Sequence, residues 1–378
     1  MSHFPHPTGD AAVGTASVGR RKTTYHPSRP PFLRLGCREN WDASFGEQDL
    51  IDRMVVLGHT AGLPFSRTLL VTYYVSLKTN PFVILTGIEG SGKTELVTLF
   101  ATAVLGRGSP QYALINGDTS WLNATGDQHS FRSLLDHFTS LRFLELLQEA
   151  ADPGSAGKAF LVCFDGMRPA EVNYYFATLL SVDDAGRKRL NLPGVADDER
   201  PVVPPNVSIT ATVNTAEYAG ALSAAVLRRA GVIAFRPTKC DAPVPYSPQP
   251  APVGMQRLWL RASQRDEAAA RAQLVQHIGV TALNRLNCSE ALAGMLRRAG
   301  IPLTQRTRQE LTLYVANSFD EHGQGLFDAE DALRNAQIAF DCQVAQRVLW
   351  RLRDTPDDQV RVFLTSYLDA LPPLAWAG

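Results

Sequence analysis

PFVILTGIEGSGKTELVTLF, Pro81 to Phe100, reads as a strand, a loop and a helix in one unbroken line. The run PFVILT is apolar, as a buried strand must be. GIEGSGKT, Gly87 to Thr94, satisfies the spacing G-x-x-x-x-G-K-[ST]. ELVTLFATAVL follows with helical periodicity. In that setting the glycines let backbone N–H groups turn inward and form an anion nest at a helix N-terminus. A chance glycine-rich turn would have neither the strand before it nor the helix after it. The expected nucleotide-binding residues are Gly87, Glu89, Gly90, Ser91, Gly92, Lys93, Thr94 and Glu95. Among them, Lys93 is placed to reach the β- and γ-phosphates, and Thr94 offers its hydroxyl to Mg²⁺.

Working outward, strands and helices alternate from Pro81 to Phe235, which predicts a three-layer α/β domain with a mainly parallel sheet. The strand candidates are PFVILTG (81–87), QYALING (111–117), AFLVCFD (159–165), VSITATVN (207–214) and VIAF (232–235). AFLVCFD ends in Asp165, the acid a P-loop needs to position its metal, so the expected metal shell is Thr94 and Asp165. Helical spacing between Trp41 and Lys78 predicts helices packed ahead of the first strand. Prolines at 237, 243, 245, 248, 250 and 252 exclude regular structure and mark a linker. From about Leu258 the pattern is helical throughout. The expected organisation is therefore a leader (1–40), an α/β nucleotide-binding domain (41–240), a linker (241–256) and a helical lid domain (257–378).

The bulk numbers fit this reading. The chain has 378 residues, 45% apolar and 20% charged, enough for two packed domains. Lys+Arg and Asp+Glu both total 37, so no global charge points to nucleic acid or an anionic membrane. No apolar run approaches the roughly 20 residues of a membrane helix, and the N-terminus has no apolar signal core. The cysteines (Cys37, Cys163, Cys240, Cys288 and Cys342) show no CxxC spacing, which argues against a zinc site and fits a reducing cytoplasm. The leader, with Arg20-Arg21-Lys22, is too polar to offset chain entropy and is expected to be disordered.

Nearly all of the expected ordered chain resembles the McrB-like branch of AAA+ ATPases, whose members include the motor subunits of methylation-dependent restriction systems. The resemblance runs in order through LKTNPFVILTGIEGSGKTELVTLFA, INGDTSWLNATG, FLVCFDGMRPAEVNYYFATLLS, PPNVSITATVNTAEY, VLRRAGVIAF, QRTRQELTLYV and FDCQVAQRVLWRL. It implies an AAA+ P-loop core with an all-helical lid, ATP or GTP with Mg²⁺, and assembly into a homo-oligomeric, hexameric ring. By the same resemblance Asn214 is the polar sensor that orients the attacking water, and Glu217 the acid of the signature around it. Arg229 is the finger that reaches a neighbouring subunit's γ-phosphate. Arg228 stands beside it where relatives have aspartate, so either arginine could fill the role. Arg306 matches the arginine by which the lid senses bound nucleotide. ATP is the expected nucleotide, although restriction-type relatives prefer GTP.

One departure bears on activity. The family's catalytic glutamate falls on Gly166, and its following asparagine on Arg168. Loss of a positioned general base typically costs about 10²- to 10⁴-fold in rate. The expectation is strong binding with slow or conditional hydrolysis, with Glu171 or Glu217 as substitute bases and Gly166→Glu as a repair. The chain itself shows no nuclease motif, so a nuclease or effector is expected as a separate partner in a restriction or anti-phage system. A nucleotide-locked assembly subunit and a MoxR-type protein-remodelling ATPase are the alternatives. Residues 187–206, with Arg187, Lys188 and Arg189, are the candidate DNA contact, or else a solvated hairpin. About 40 residues ahead of the core are too few for a reader of modified DNA, so target recognition is expected to come from elsewhere.

Overall fold

The computed structural model describes residues 45–63, 65–116, 142–174, 176, 180–182, 188–190, 196, 200–214, 222–235, 254–262, 266–286, 294, 296–297, 304–350, 356, 358–362 and 365. The leader and the proline-rich segment 236–253 lie outside them. Five strands form one sheet: β1 (Phe82–Gly87), β2 (Tyr112–Asn116), β3 (Phe160–Met167), β6 (Val207–Asn214) and β7 (Gly231–Ala234). Their order is β2-β3-β6-β1-β7, and every pairing is parallel. A two-stranded antiparallel hairpin, β4 (Leu180–Val182) with β5 (Lys188–Leu190), stands apart.

Strand alternation divides the interior in two. Val83 and Leu85 of β1, with Leu161 and Cys163 of β3, join one apolar cluster. Phe82 and Ile84, with Phe160, Val162 and Phe164, point to the other face and join a second. Burial on both faces explains why these strands read as continuous apolar runs. Cys163 is a buried core residue, as its position in an apolar strand implies.

The first cluster is built from α1 (Glu47–Thr60), α2 (Arg67–Thr79) and α3 (Lys93–Leu105). The second contains α4 (Phe143–Ala151), and α5 (Pro169–Tyr174) and α6 (Ala224–Leu227) contribute Val172, Val226 and Leu227 to it. Among the described residues four further helical segments follow: α7 (Met255–Ala262), α8 (Glu267–Leu286, kinked at Gly279, φ 78°), α9 (Gln305–Asn317) and α10 (Ala332–Arg347). Leu258, Leu274, Tyr314 and Ala336 from these helices share the first cluster with Leu50 and Leu70 of the leading helices. Residues Ala332 to Arg347 run as one helix, α10, with no glycine or proline to interrupt them. Asp331 starts it by accepting from the N–H groups of Leu333 and Arg334, both at 2.9 Å.

A buried ion pair joins the leading helices to the segment after α9. The Lys78 ammonium pairs with Glu47, their side chains only 1% and 2% exposed. Tyr74 donates to the same carboxylate at 2.8 Å, and Lys78 also reaches the carbonyl of Phe319. Burial pushes the Glu47 carboxyl above its usual range, and the Lys78 charge opposes that shift. Removing one partner would strand a charge in the interior. Glu47→Ala is therefore expected to lower the free energy of unfolding by about 3 kcal/mol in urea titration. A loss below about 1 kcal/mol, the range of exposed pairs, would show that water reaches the pair.

Candidate nucleotide-binding site

The carboxyl ends of the parallel strands gather the candidate residues. Asn116 of β2 stands in register with Asp165 of β3, and Gly87 of β1 with Asn214 of β6. In an open parallel sheet the ligand crevice lies outside these ends.

The loop after β1 passes into α3 at Gly92, whose φ of 95° is left-handed. A side chain there would be strained, and its Cβ would come within 3.1 Å of the Phe65 ring. Phe65 in turn packs edge-on against Phe235 at a centroid distance of 6.1 Å, which anchors the loop to the end of β7. Ser91, Gly92 and Lys93 are buried, whereas Glu89, Gly90 and Glu95 are exposed.

The Lys93 ammonium donates to the carbonyls of Ile88 and Gly87 at 2.6 and 3.2 Å, and contacts the Ser91 hydroxyl at 3.3 Å. Burial pulls its pKa down, while the charges of Asp165, Glu95 and Glu89 hold it up. The ammonium is thus held at the loop by neutral carbonyl and hydroxyl acceptors, and an anionic phosphate oxygen would be a stronger acceptor.

Thr94 and Asp165, from different elements, meet directly. The Thr94 hydroxyl donates to Asp165 Oδ1. The same oxygen accepts from the Thr212 hydroxyl of β6 at 2.6 Å, and Thr212 Oγ1 accepts from the N–H of Gly166 at 2.8 Å. A hydroxyl and a carboxylate sharing one point are the hard oxygen donors Mg²⁺ prefers, with phosphates and water completing its shell. No group of three or more His, Cys, Asp or Glu residues able to hold a metal without a substrate occurs among the described residues. The donor set of Thr94 and Asp165 fits Mg²⁺ by its chemistry. Thr212 lay outside the sequence reading; an in-strand threonine two residues before a candidate sensor was its only signal.

Gly166 has a structural role of its own. The β3–β6 register runs Phe164↔Ala211 and resumes at Met167↔Val213. Asp165 and Gly166 together face Thr212, a bulge, and Gly166 takes the left-handed φ of 68°. No atom lies within 4 Å of where its Cβ would stand, so the obstacle to a side chain is the backbone and not crowding. The expected repair by Gly166→Glu is corrected on this ground. Any L-residue there costs about 1–2 kcal/mol.

Glu171 as a substitute base is corrected too. It is 0% exposed and bonds Arg168 twice, accepting from its backbone N–H at 2.8 Å and from its Nε at 2.9 Å. This contact starts α5 immediately before Pro169. Arg168 is thereby already paired. Glu217 lies outside the described residues.

Arg229 stands on the turn between α6 and β7 and donates to the carbonyl of Phe176 at 3.0 Å. Arg228 beside it is exposed. Arg306 occupies the first turn of α9, is 61% exposed, and pairs with Glu310 at 3.2 Å. The structure brings Arg229 and Arg306 within electrostatic reach of each other. In the 187–206 segment, Arg189 donates to the carbonyl of Arg200 at 2.9 Å, and β5 lies between β4 and Val202. Arg187 lies outside the described residues. No helix among those residues is long and apolar enough to cross a membrane.

No protein-family profile matches the chain, and no curated protein sequence matches it. Among solved structures, the chain is similar to the crystal structure of a FIGL-1 AAA domain, at 13% identity over 87% of this chain and 89% of that one. The TM-score is 0.21, so the overlap is loose.

Thr212 supplies the outer contact that aims Asp165. Partners of this kind typically change metal affinity about 10- to 100-fold. Thr212→Val, which keeps shape and removes the hydroxyl, is expected to raise the Mg²⁺ concentration for half-maximal nucleotide binding at least about tenfold. An unchanged Mg²⁺ midpoint would show that Asp165 needs no such support.

Proposed function

We propose that this chain binds a nucleoside triphosphate with Mg²⁺ in the crevice above β1, β3 and β6 and hydrolyses it slowly or conditionally. The observation that carries this reading is the convergence of Thr94 and Asp165 on one point beside Lys93. The loop amides and Lys93 would take the β- and γ-phosphates. Thr94 and Asp165 would hold Mg²⁺, which when bound would neutralise charge developing on the phosphates. Asn214, level with Gly87, is placed to hold a water in line. ATP is the nucleotide we favour over GTP.

Slow turnover follows from the same residues. A general base is missing at Gly166, and Glu171 is occupied by Arg168. Phosphoryl transfer still gains from positioning and charge alone, so a low rate remains. Arg229 acts as a finger supplied to a second copy of the chain in a ring, probed by nucleotide-dependent association. Together with the resemblance to McrB-like AAA+ proteins, this supports a motor or switch subunit of a restriction or anti-phage system, served by a separate nuclease or effector. Contact with DNA through residues 187–206 belongs to the same reading. A second reading, a nucleotide-locked subunit that assembles without cycling, is favoured by the backbone at Gly166, which admits no simple replacement of the base.

Steady-state phosphate release, with and without DNA, separates the two. Slow but measurable release in the wild type, lost in Lys93→Ala, is expected. Gly166→Glu is expected to give no gain and a stability loss of about 1 kcal/mol. A gain of tenfold or more, about 1.4 kcal/mol of barrier, would show that the bulge relaxes and the site only lacks its carboxylate.

A further inference from the structure

The turn that carries Arg228 and Arg229 ends a helix of only four residues, α6. Helix ends leave carbonyl groups without intrahelical partners. Here each carbonyl from 227 to 230 is taken by a side chain of another element. Asn80, at the end of α2, donates to the carbonyl of Arg229. Arg347, the last residue of α10, donates Nη1 to the carbonyls of Leu227 (3.0 Å) and Ala230, and Nη2 to that of Arg228 at 3.2 Å. Its Nε meets Glu310 Oε2 at 2.9 Å, and Nη2 reaches the same oxygen. These contacts employ all five N–H donors of the guanidinium. The other carboxylate oxygen of Glu310 accepts from Arg306. One carboxylate on α9 therefore links the arginine that opens α9 to the buried guanidinium gripping the arginine turn.

Stability alone is a weak reason for this arrangement. The Arg347 side chain is 1% exposed, and a buried ion pair is often no more stabilising than apolar residues of the same volume. What a planar, five-donor fork provides is a fixed orientation of the groups it binds. Burial first, and then the like charges of Arg306 and Arg228, lower the pKa of the Arg229 guanidinium. The contacts of Glu310 and Arg347 thus gather three cations in one place, an arrangement suited to an anion.

We propose, on the reading that the chain binds nucleotide and associates with itself, that Glu310 and Arg347 are positioning residues. They hold the Arg228–Arg229 turn and Arg306 as one cationic unit, which engages the triphosphate bound by a second copy of this chain. The resemblance treats Arg306 and Arg229 as separate devices, one sensing nucleotide through the lid and one reaching a neighbour. The Glu310–Arg347 clamp joins them in a single body. A change at either end of α9 is then felt by the finger turn.

The test is a split between binding and association in Arg347→Met and Glu310→Gln, using a fluorescent ATP analogue on dilute chain and sedimentation at higher concentration. Analogue affinity is expected to stay within about twofold of wild type, while nucleotide-strengthened association weakens by about tenfold or more. Mixing Arg347→Met with Lys93→Ala, which lacks the phosphate lysine and keeps the arginine unit, should restore association. A purely structural role would lower the unfolding midpoint without that split and without rescue. If Arg347→Met does not fold, Glu310→Gln decides alone, since it leaves Arg347 an acceptor and removes only the charge. Affinity and association falling together, or association unchanged in a folded variant, would overturn the proposal. A wild-type chain that binds no analogue would overturn the functional reading itself, and the proposal with it.

Discussion

A single carboxylate oxygen, Asp165 Oδ1, receives hydroxyl donors from two directions, Thr94 at the head of α3 and Thr212 within β6. That shared acceptor makes the strand ends a site. It ties the phosphate loop to the middle of the sheet, and it needs β3 to deliver its last acid between two neighbours. The parallel order β2-β3-β6-β1-β7 does this by setting β6 between the strand bearing the acid and the strand bearing the loop. The bulge at Gly166 follows from the same demand. Its N–H turns to Thr212, the threonine turns to Asp165, and the residue after the acid is left with a backbone that suits glycine. The left-handed backbone at Gly166 and the support of Asp165 by Thr212 are thus two sides of one local geometry.

The helical half of the chain is joined to this core by buried charge. Glu47 and Lys78 lock the leading helices to the segment after α9, and Arg347 locks α10 to the turn ahead of β7. Each contact would be costly with one partner missing and is acceptable with all donors used. The consequence is a molecule in which the candidate finger is braced from behind by the helices that carry Arg306. The turn that carries Arg229 and the helix that carries Arg306 then share one framework.

Much of this was legible in the residues. The five sheet strands fall where apolar runs predict them, and β1, β3 and β6, buried on both faces, show it most plainly in their composition. The candidate phosphate loop stands out by its glycines, and Asp165 by its place at a strand end. What could not be read depended on register and on partners distant in sequence. Thr212 looks like any threonine in a strand until β6 is set beside β3. Gly166 reads as a deletion of function until the bulge shows its φ. Glu171 reads as a spare base until Arg168 is found on both of its oxygens. Arg347 and Glu310 are ordinary helix-surface residues by spacing, and only the packing of α9 against α10 buries their pair.

The central claim is that Asp165 and Thr94 form the metal-dependent half of a nucleotide site. Calorimetric titration of ATP into the wild type and Asp165→Asn, each with and without Mg²⁺, tests it most directly. The account predicts that Mg²⁺ strengthens binding to the wild type by about tenfold or more, about 1.4 kcal/mol, and that Asp165→Asn keeps the Mg²⁺-free affinity while losing the gain. Equal wild-type affinity with and without Mg²⁺ would contradict it.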